Sequence, residues 1–384
     1  MSPTDPPGGH PGSAPTVAVI PGDDAAPEAM AAAVSVLRAV DPGIDLDVLP
    51  TGVELAELDR SERATMVHAR IDAADTVLFG ATNGTTPGVA HLRWGRGTYA
   101  NVRPVRWRPG FASPMARPDR LDYVIVRENL EDAYVGIAGD VADLRASGLV
   151  GDRARLTWPG EARFSAKVIS RAGTETVARF AYDLARRRGV ERGRSPRLTV
   201  SAKTNMLPAT DRYFCDIVAE VGGDFPDVEL DRFIVDDMAH RLVLRPEAHD
   251  VVVLPNLYGD VLSDLGAATL GGMGLAPSGC YGDGFAYFES AHGTAPDLTG
   301  RHEINPTASL LSAVLMLTWL GRTGAADRLD AAVTAVYAAG DHLTADQGGT
   351  ATTEEMAGAV VAALAPLPGP ATGPTTSVSG GHLA

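Results

Sequence analysis

Asp260 and Asp264 stand four residues apart in Asn256-Leu257-Tyr258-Gly259-Asp260-Val261-Leu262-Ser263-Asp264. An α-helix stacks such positions on one face, so both carboxylates can converge on a single hard divalent cation. Taken alone, this spacing is more often a solvated helix face. The context raises the chemical reading. The apolar run Val251-Val252-Val253-Leu254 before the acids reads as a buried strand, and the glycine-rich stretch Leu270 to Ser278 follows them. Acids at a helix start just beyond a strand end sit where open α/β folds bind ligands.

Arg93 and Arg103 flank Thr98-Tyr99-Ala100-Asn101-Val102, and Arg127 opens Arg-Glu-Asn-Leu-Glu-Asp-Ala-Tyr, which ends at Tyr134. Guanidinium groups grip carboxylates bidentately, so three that converge would select a di- or tricarboxylate. Each arginine singly reads as a surface charge. Lys203 closes the apolar run Leu198-Thr-Val-Ser-Ala. At a buried strand end a lysine can act as a base, whereas on the surface it merely snorkels. The segment Glu289-Ser-Ala-His-Gly-Thr-Ala-Pro-Asp297 is a tight loop of small residues. Its backbone N–H groups could approach a phosphate or an adenine, and Asp297 could accept from ribose hydroxyls. No G-x-G-x-x-G occurs, so a Rossmann site is not expected.

These groups need a scaffold. At 384 residues and 45% apolar content, the chain can bury a large core in two domains. A net charge of −15 argues against nucleic acid and anionic membranes as partners, while a local arginine cluster still admits small anionic substrates. Two cysteines, Cys215 and Cys280, make no disulfide framework, and no signal peptide or membrane span is visible. A cytoplasmic location is expected. Strands are predicted at Thr16–Ile20, Thr76–Phe79, Leu121–Val126, Arg197–Ser201 and Asp250–Leu254. Helices are predicted at Ala25–Val40, Thr174–Arg188 and Ser309–Leu320. The alternation predicts an α/β protein with a partly parallel sheet. Residues 1–15 and 366–384 read as disordered tails.

Together the segments YANVRP (99–104), VRENLEDAYVG (126–136), AKTN (202–205), IVDDMAHRLVLRP (234–246), NLYGDVLSDLGA (256–267), HGTAPD (292–297) and NPTA (305–308) resemble the isocitrate/isopropylmalate dehydrogenase family. These are β-decarboxylating dehydrogenases, and the resemblance spans roughly residues 16–365. It implies a two-domain, non-Rossmann fold with the second domain inserted into the first. Residues 16–98 and 271–365 would form the cofactor-binding domain, and 99–270 an inserted substrate, metal and dimerisation domain.

The resemblance also implies roles. Arg93, Arg103 and Arg127 match the arginines that hold the malate part of the substrate, with Val89, Ala90, His91 and Asn205 as further substrate contacts. Asp260 and Asp264, with Asp236 of the partner subunit, match the ligands of Mg²⁺ or Mn²⁺. Tyr134 and the partner subunit's Lys203 match the proton-transfer pair. Glu289, His292, Gly293, Ala295, Asp297 and Asn305 match the cofactor site. Family members that use NADP tend to carry lysine then tyrosine where this chain has Asp297-Leu298. A carboxylate there repels a 2′-phosphate, so NAD is expected. The implied assembly is a homodimer or a tetramer with shared active sites. The implied reaction is oxidative decarboxylation of a 3-substituted (2R)-malate, like isopropylmalate, homoisocitrate or isocitrate, or a specialised analogue such as a phosphonomethyl-malate. A D-malate or tartrate dehydrogenase and a non-catalytic regulatory subunit are the alternatives.

Two segments depart from the family pattern. The opening GDGIGPE is here Gly22-Asp23-Asp24-Ala25-Ala26-Pro27-Glu28, which lacks two glycines near the cofactor site. The substrate-discriminating segment has Pro87 and Val89 where isocitrate enzymes carry serine and asparagine, and Ala90 where homoisocitrate enzymes can carry arginine. Such a pocket suits a small or apolar 3-substituent, or else His91 faces in and meets an anionic one.

Overall fold

The computed structural model describes residues 14–51, 54–55, 57–148 and 161–364. Apart from residues 14 and 15, both expected tails lie outside the described residues. In chain order the strands are β1 Thr16–Ile20, β2 Asp45–Val48, β3 Thr76–Phe79, β4 Ala100–Arg106, β5 Asp122–Glu128, β6 Ala138–Asp140, β7 Arg163–Ser165, β8 Arg197–Ala202, β9 Glu229–Ile234, β10 Val251–Leu254, β11 Pro277–Gly282 and β12 Phe285–Ser290. Ten form one sheet in the order β2-β1-β3-β12-β11-β4-β5-β10-β8-β9, while β6 and β7 pair separately. The sheet is parallel at both flanks and antiparallel through β12-β11-β4-β5. It is thus the mixed, partly parallel α/β sheet that the alternation predicts.

Apolar runs explain the flanks. Every residue of β3 and β10 is buried, as expected of parallel strands covered by helices on both faces. The helix Arg171–Arg192 opens on Ser170, whose hydroxyl accepts from the Gly173 amide, and stops at Gly193 in the left-handed conformation. The helix Arg60–Ala73 begins with a capping box between Asp59 and Glu62. The helix Thr307–Trp319 is apolar on nearly all sides and lies within the largest core cluster.

The order of strands carries the organisation that matters for the site. One half of the sheet is built from residues 16–79 and 277–290, the other from residues 100–254. The halves meet where β11 pairs with β4, in the register Gly279↔Val102, Cys280↔Asn101 and Tyr281↔Ala100. The ends of β4, β5 and β10 beside this junction position the chemistry.

Candidate active site

The helix Asn256–Leu270 follows β10 directly and lies against β5. Gly259 makes this approach possible: a Cβ there would fall 2.6 Å from the Cβ of Arg127. Asp260 and Asp264 share a face, as their spacing requires, and one nitrogen of Arg103 lies 3.5 Å from Asp260 Oδ1 and 3.3 Å from Asp264 Oδ1. Arg127, almost fully buried, donates to Asp260 Oδ1 through Nη1 and to Asn256 Oδ1 through Nε at 2.8 Å. Arg103 is held by Asn101 Oδ1 at 3.1 Å and by Ser263 Oγ at 2.7 Å. Burial lowers the Arg127 pKa, and Arg103 and Arg93 lower it further against the pull of Asp260. The three arginines therefore do converge.

Arg93 comes from the single turn His91–Gly95 and stands beside Tyr287, Glu289 and Cys280. Its Nε is buried without a partner, a donor free for a ligand. Burial pushes the Glu289 carboxyl above its ordinary pKa, opposed by Arg93, Arg103 and Arg127. The structure thus sets the Glu289 side chain at the arginine cluster.

Tyr134 reaches the same point from the loop after β5. Its hydroxyl donates to Asp260 Oδ2 at 2.8 Å, and burial, then the Asp260 carboxylate, raise its pKa. The loop is pinned by residues the sequence reading missed. Asp132, fully buried with φ 69°, accepts from the Leu257 amide at 2.9 Å and so caps the acid-bearing helix from 125 residues away. Lys167 lies 3.3 Å from Asp132 and 2.9 Å from Asp211, another fully buried carboxylate. No local pattern announces this knot, because each of its members looks like a solvated charge in sequence.

Lys203 and Asp236 form an ion pair of their own, from the end of β8 and the start of the helix Val235–Leu244. Asn205 is exposed in the turn just beyond. Among the described residues of one chain, no group of three carboxylates, histidines or cysteines could hold a metal. Asp260 and Asp264 nevertheless fit a hard cation by donor type. Burial, with Asp260 as a like-charged neighbour partly offset by Arg103, raises the Asp264 pKa, a cost that a shared cation removes.

A cavity of about 390 Å³ is lined by His292, Gly293, Ala295, Leu298, Ile304 and Asn305, with Met273, Glu303 and Asp346 among its further walls. Its apolar wall and its polar groups fit an adenine by type, and His292 Nε2 is buried without a partner. Burial lowers the His292 pKa, while its Nδ1 sits 2.7 Å from the Gly293 carbonyl. Asn305 donates to Asp346 Oδ2 at 3.0 Å and to Tyr337 Oη at 3.2 Å. Asp297 is exposed at the start of the short turn Pro296–Leu298 and does not line the cavity.

Val89 and Ala90 line a second, larger cavity, but His91 does not. The His91 ring stacks on His68 with centroids 4.2 Å apart, and its Nε2 lies 2.9 Å from Asp72 Oδ1. The inward-facing His91 suggested by the sequence is therefore replaced by a ring already claimed by Asp72, 19 residues earlier.

The altered turn at residues 22–28 packs tightly on the chain just after β3. Gly22, with φ 83°, approaches the chain so closely that a Cβ would sit 2.3 Å from the Ala81 carbonyl oxygen. Asp24 adopts φ 56° in place of the family's glycine, and its carboxylate accepts from Asn83 Nδ2 at 3.1 Å.

The arginine cluster beside the paired aspartates suits a small anionic ligand. The isocitrate/isopropylmalate dehydrogenase family profile matches residues 16–360, and the chain belongs to that family of oxidoreductases. It is 38% identical over 345 residues to the 3-isopropylmalate/3-methylmalate dehydrogenase of Methanocaldococcus jannaschii, covering 89% of this chain and 96% of that one. It is 39% identical over 360 residues to the isocitrate/homoisocitrate dehydrogenase of Thermus thermophilus, covering 91% and 99%. Among solved structures, the isocitrate dehydrogenase from Methylococcus capsulatus superposes with a TM-score of 0.77 at 31% identity, covering 91% of this chain and 99% of that one. No helix among the described residues is long and apolar enough to cross a membrane.

Proposed function

We propose that this enzyme oxidatively decarboxylates a 3-substituted (2R)-malate with NAD. The observation that carries the reading is the clustering of Arg103 and Arg127 on Asp260, with Arg103 also at Asp264, Arg93 close to Arg127, and Tyr134 donating to Asp260. Arg93, Arg103 and Arg127 grip the malate carboxylates, and a substrate carboxylate replaces Asp260 as the partner of Arg127. Asp260 and Asp264, with the partner subunit's Asp236, would hold Mg²⁺ or Mn²⁺, which acidifies a hydroxyl and stabilises the developing negative charge. The partner subunit's Lys203 accepts the hydroxyl proton. NAD supplies the hydride acceptor when bound. Tyr134 returns a proton to the carbon that loses CO₂, and each such proton transfer contributes roughly 10²- to 10⁴-fold.

The adenine end of NAD belongs in the cavity of His292, Gly293, Ala295 and Asn305, with Asp297 toward the ribose. Among the described residues no lysine or arginine lines that cavity, whereas Glu303 and Asp346 do, which disfavours a 2′-phosphate. Glu289 belongs at the nicotinamide end, between cofactor and arginines. The two halves of the sheet act as two domains, residues 16–98 with 271–365 and residues 99–270, and the site lies at their junction. Leu257 and Val261 are exposed at helical spacing beside the acids, an apolar stripe suited to a second copy of the chain. A homodimer would bring Asp236 and Lys203 to the site and makes a monomer inactive. The expected location is the cytoplasm.

The test is NADH formation with Mn²⁺ over D-malate, tartrate, isocitrate, homoisocitrate, 3-isopropylmalate and a phosphonomethyl-malate. A 3-substituted malate should win. A clear preference for D-malate or tartrate refutes the 3-substituent, and silence across the panel with NAD bound points to a regulatory subunit.

A further inference from the structure

The cavity lined by Val89 and Ala90 has a volume of about 710 Å³ and lies between the helix Arg60–Ala73 and the loop Thr82–Ala90. Arg60, Arg63 and His68 face it from one side of the helix. Among the described residues no aspartate or glutamate lines it, although the chain as a whole carries a net charge of −15. Arg60 makes no ion pair among the described residues, and Arg63 spends only its Nε, on the Leu58 carbonyl at 3.0 Å. Elsewhere the arginines of this acidic protein are commonly paired, as Arg70 is with Asp47 and Arg96 with Asp72.

The facing wall is braced from behind. Asp23, itself buried, accepts from Thr82 Oγ1 at 2.6 Å, from the Asn83 amide at 3.0 Å and from Thr86 Oγ1 at 2.5 Å. Burial disfavours the charged Asp23 carboxylate, but these hydrogen bonds outweigh it and hold the pKa below its ordinary value. The wall then runs through Val89 and Ala90 into Arg93, three residues on. The chain that walls this cavity therefore leads directly into the turn His91–Gly95, which carries Arg93 of the arginine cluster.

We propose that this cavity receives the substrate's 3-substituent and that the substituent ends in an anion, a phosphonate, phosphate or carboxylate, gripped by Arg60 and Arg63. The inference rests on the malate-type reading of the arginine cluster. An aliphatic substituent would strip water from two guanidinium groups and give them nothing in return. An oxyanion accepts from both and matches their fork geometry. His68 lines the cavity as a hydrogen-bonding group: burial, then the neighbouring His91, lower its pKa against the pull of Asp72.

The test is the double variant Arg60→Ala/Arg63→Ala. Both side chains lie at the surface end of the helix, so the fold should survive, and a thermal melt checks this. With NAD and Mn²⁺, kcat/KM for a 3-phosphonomethyl-malate should fall roughly 100-fold, since each charge-assisted contact is worth about tenfold or more. D-malate, which has no substituent, should be turned over as before. An equal loss on both substrates, or no loss on either, overturns the proposal. A raised KM for NAD also overturns it, because the arginines then serve the cofactor diphosphate. If wild type turns over nothing on the panel, the malate-type reading fails. Calorimetry with methylphosphonate still decides the anion site: binding by wild type that the variant loses supports it, and no binding refutes it.

Discussion

Gly259→Ala separates the geometry of the acid-bearing helix from its stability. Inside a helix this change normally gains about 1 kcal/mol through propensity and reduced chain entropy. Here the new Cβ would lie 2.6 Å from Arg127 Cβ, 2.7 Å from Cγ and 3.0 Å from Cα. Relaxed carbon contacts need about 3.5–4.0 Å. Arg127 Cα and Cβ belong to β5 in the middle of the sheet and cannot swing away, so the helix must retreat by about 1 Å. Such overpacking costs about 1–3 kcal/mol, which leaves a net loss of about 0–2 kcal/mol and a fall of only a few degrees in Tm. The retreat carries Asp260 away from Arg127 and Tyr134, however, and a misplacement of about 1 Å can cost about 100-fold in rate. The expected signature is a small stability loss with a large loss of kcat. Gly358→Ala is the control: no atom lies within 4 Å of its Cβ, in the helix Thr353–Ala363, so it should gain about 1 kcal/mol with activity intact. A Gly259→Ala enzyme that melts higher, like the control, and keeps full activity would refute the contact and the role given to it.

Asp260→Asn should abolish metal-dependent turnover while circular dichroism stays native; activity retained in metal-free buffer rejects the assignment of the metal site. Asp297→Lys with Leu298→Tyr should move preference from NAD toward NADP, read as the ratio of kcat/KM values, and an unmoved ratio means the ribose lies elsewhere. Glu128→Gln tests a buried acid at the end of β5. Burial pushes the Glu128 carboxyl from 4.5 up to about 7, despite bonds from the Leu130 and Glu131 amides. The folded state therefore keeps a proton that the unfolded state releases, and this group's contribution to stability falls as pH rises from about 4.5 to about 7. The Tm of the variant relative to wild type should climb across that window and level off above it; a constant difference contradicts the shifted pKa.

What could be read from the sequence is what local pattern encodes. The apolar runs that become β1, β3, β8 and β10 are buried by their own composition, and their ends shifted by at most a few residues. The shared face of Asp260 and Asp264 follows from helical geometry once the helix is granted. The resemblance supplied the grouping of Arg93, Arg103 and Arg127, which spacing alone could not. His91 shows the limit: its neighbours in sequence are substrate-segment residues, but its partner is Asp72 on the preceding helix. Asn101 orients Arg103 from two residues away on β4, while Asn256 reaches Arg127 only because β10 pairs with β5 and sets the start of the acid-bearing helix beside it.

The turn Gly22–Glu28 shows why a departure from a family pattern is not read as a loss of function. Two glycines are missing, and the backbone still takes a left-handed residue at Asp24, where a non-glycine side chain costs roughly 1–2 kcal/mol. Aspartate is among the few residues that tolerate this conformation, and Asn83 gives its carboxylate a partner. The neighbouring Asp23 ties the same turn to Thr82, Asn83 and Thr86. The substitution thus couples the turn to the loop that walls the arginine-lined cavity. If that cavity recognises an anionic substituent, the rigidity of this loop is part of the recognition. Asp23→Ala should then weaken binding of a phosphonate-bearing substrate more than that of D-malate, read as the ratio of their KM values. An equal effect on both would mean that the turn supports only the cofactor side of the site.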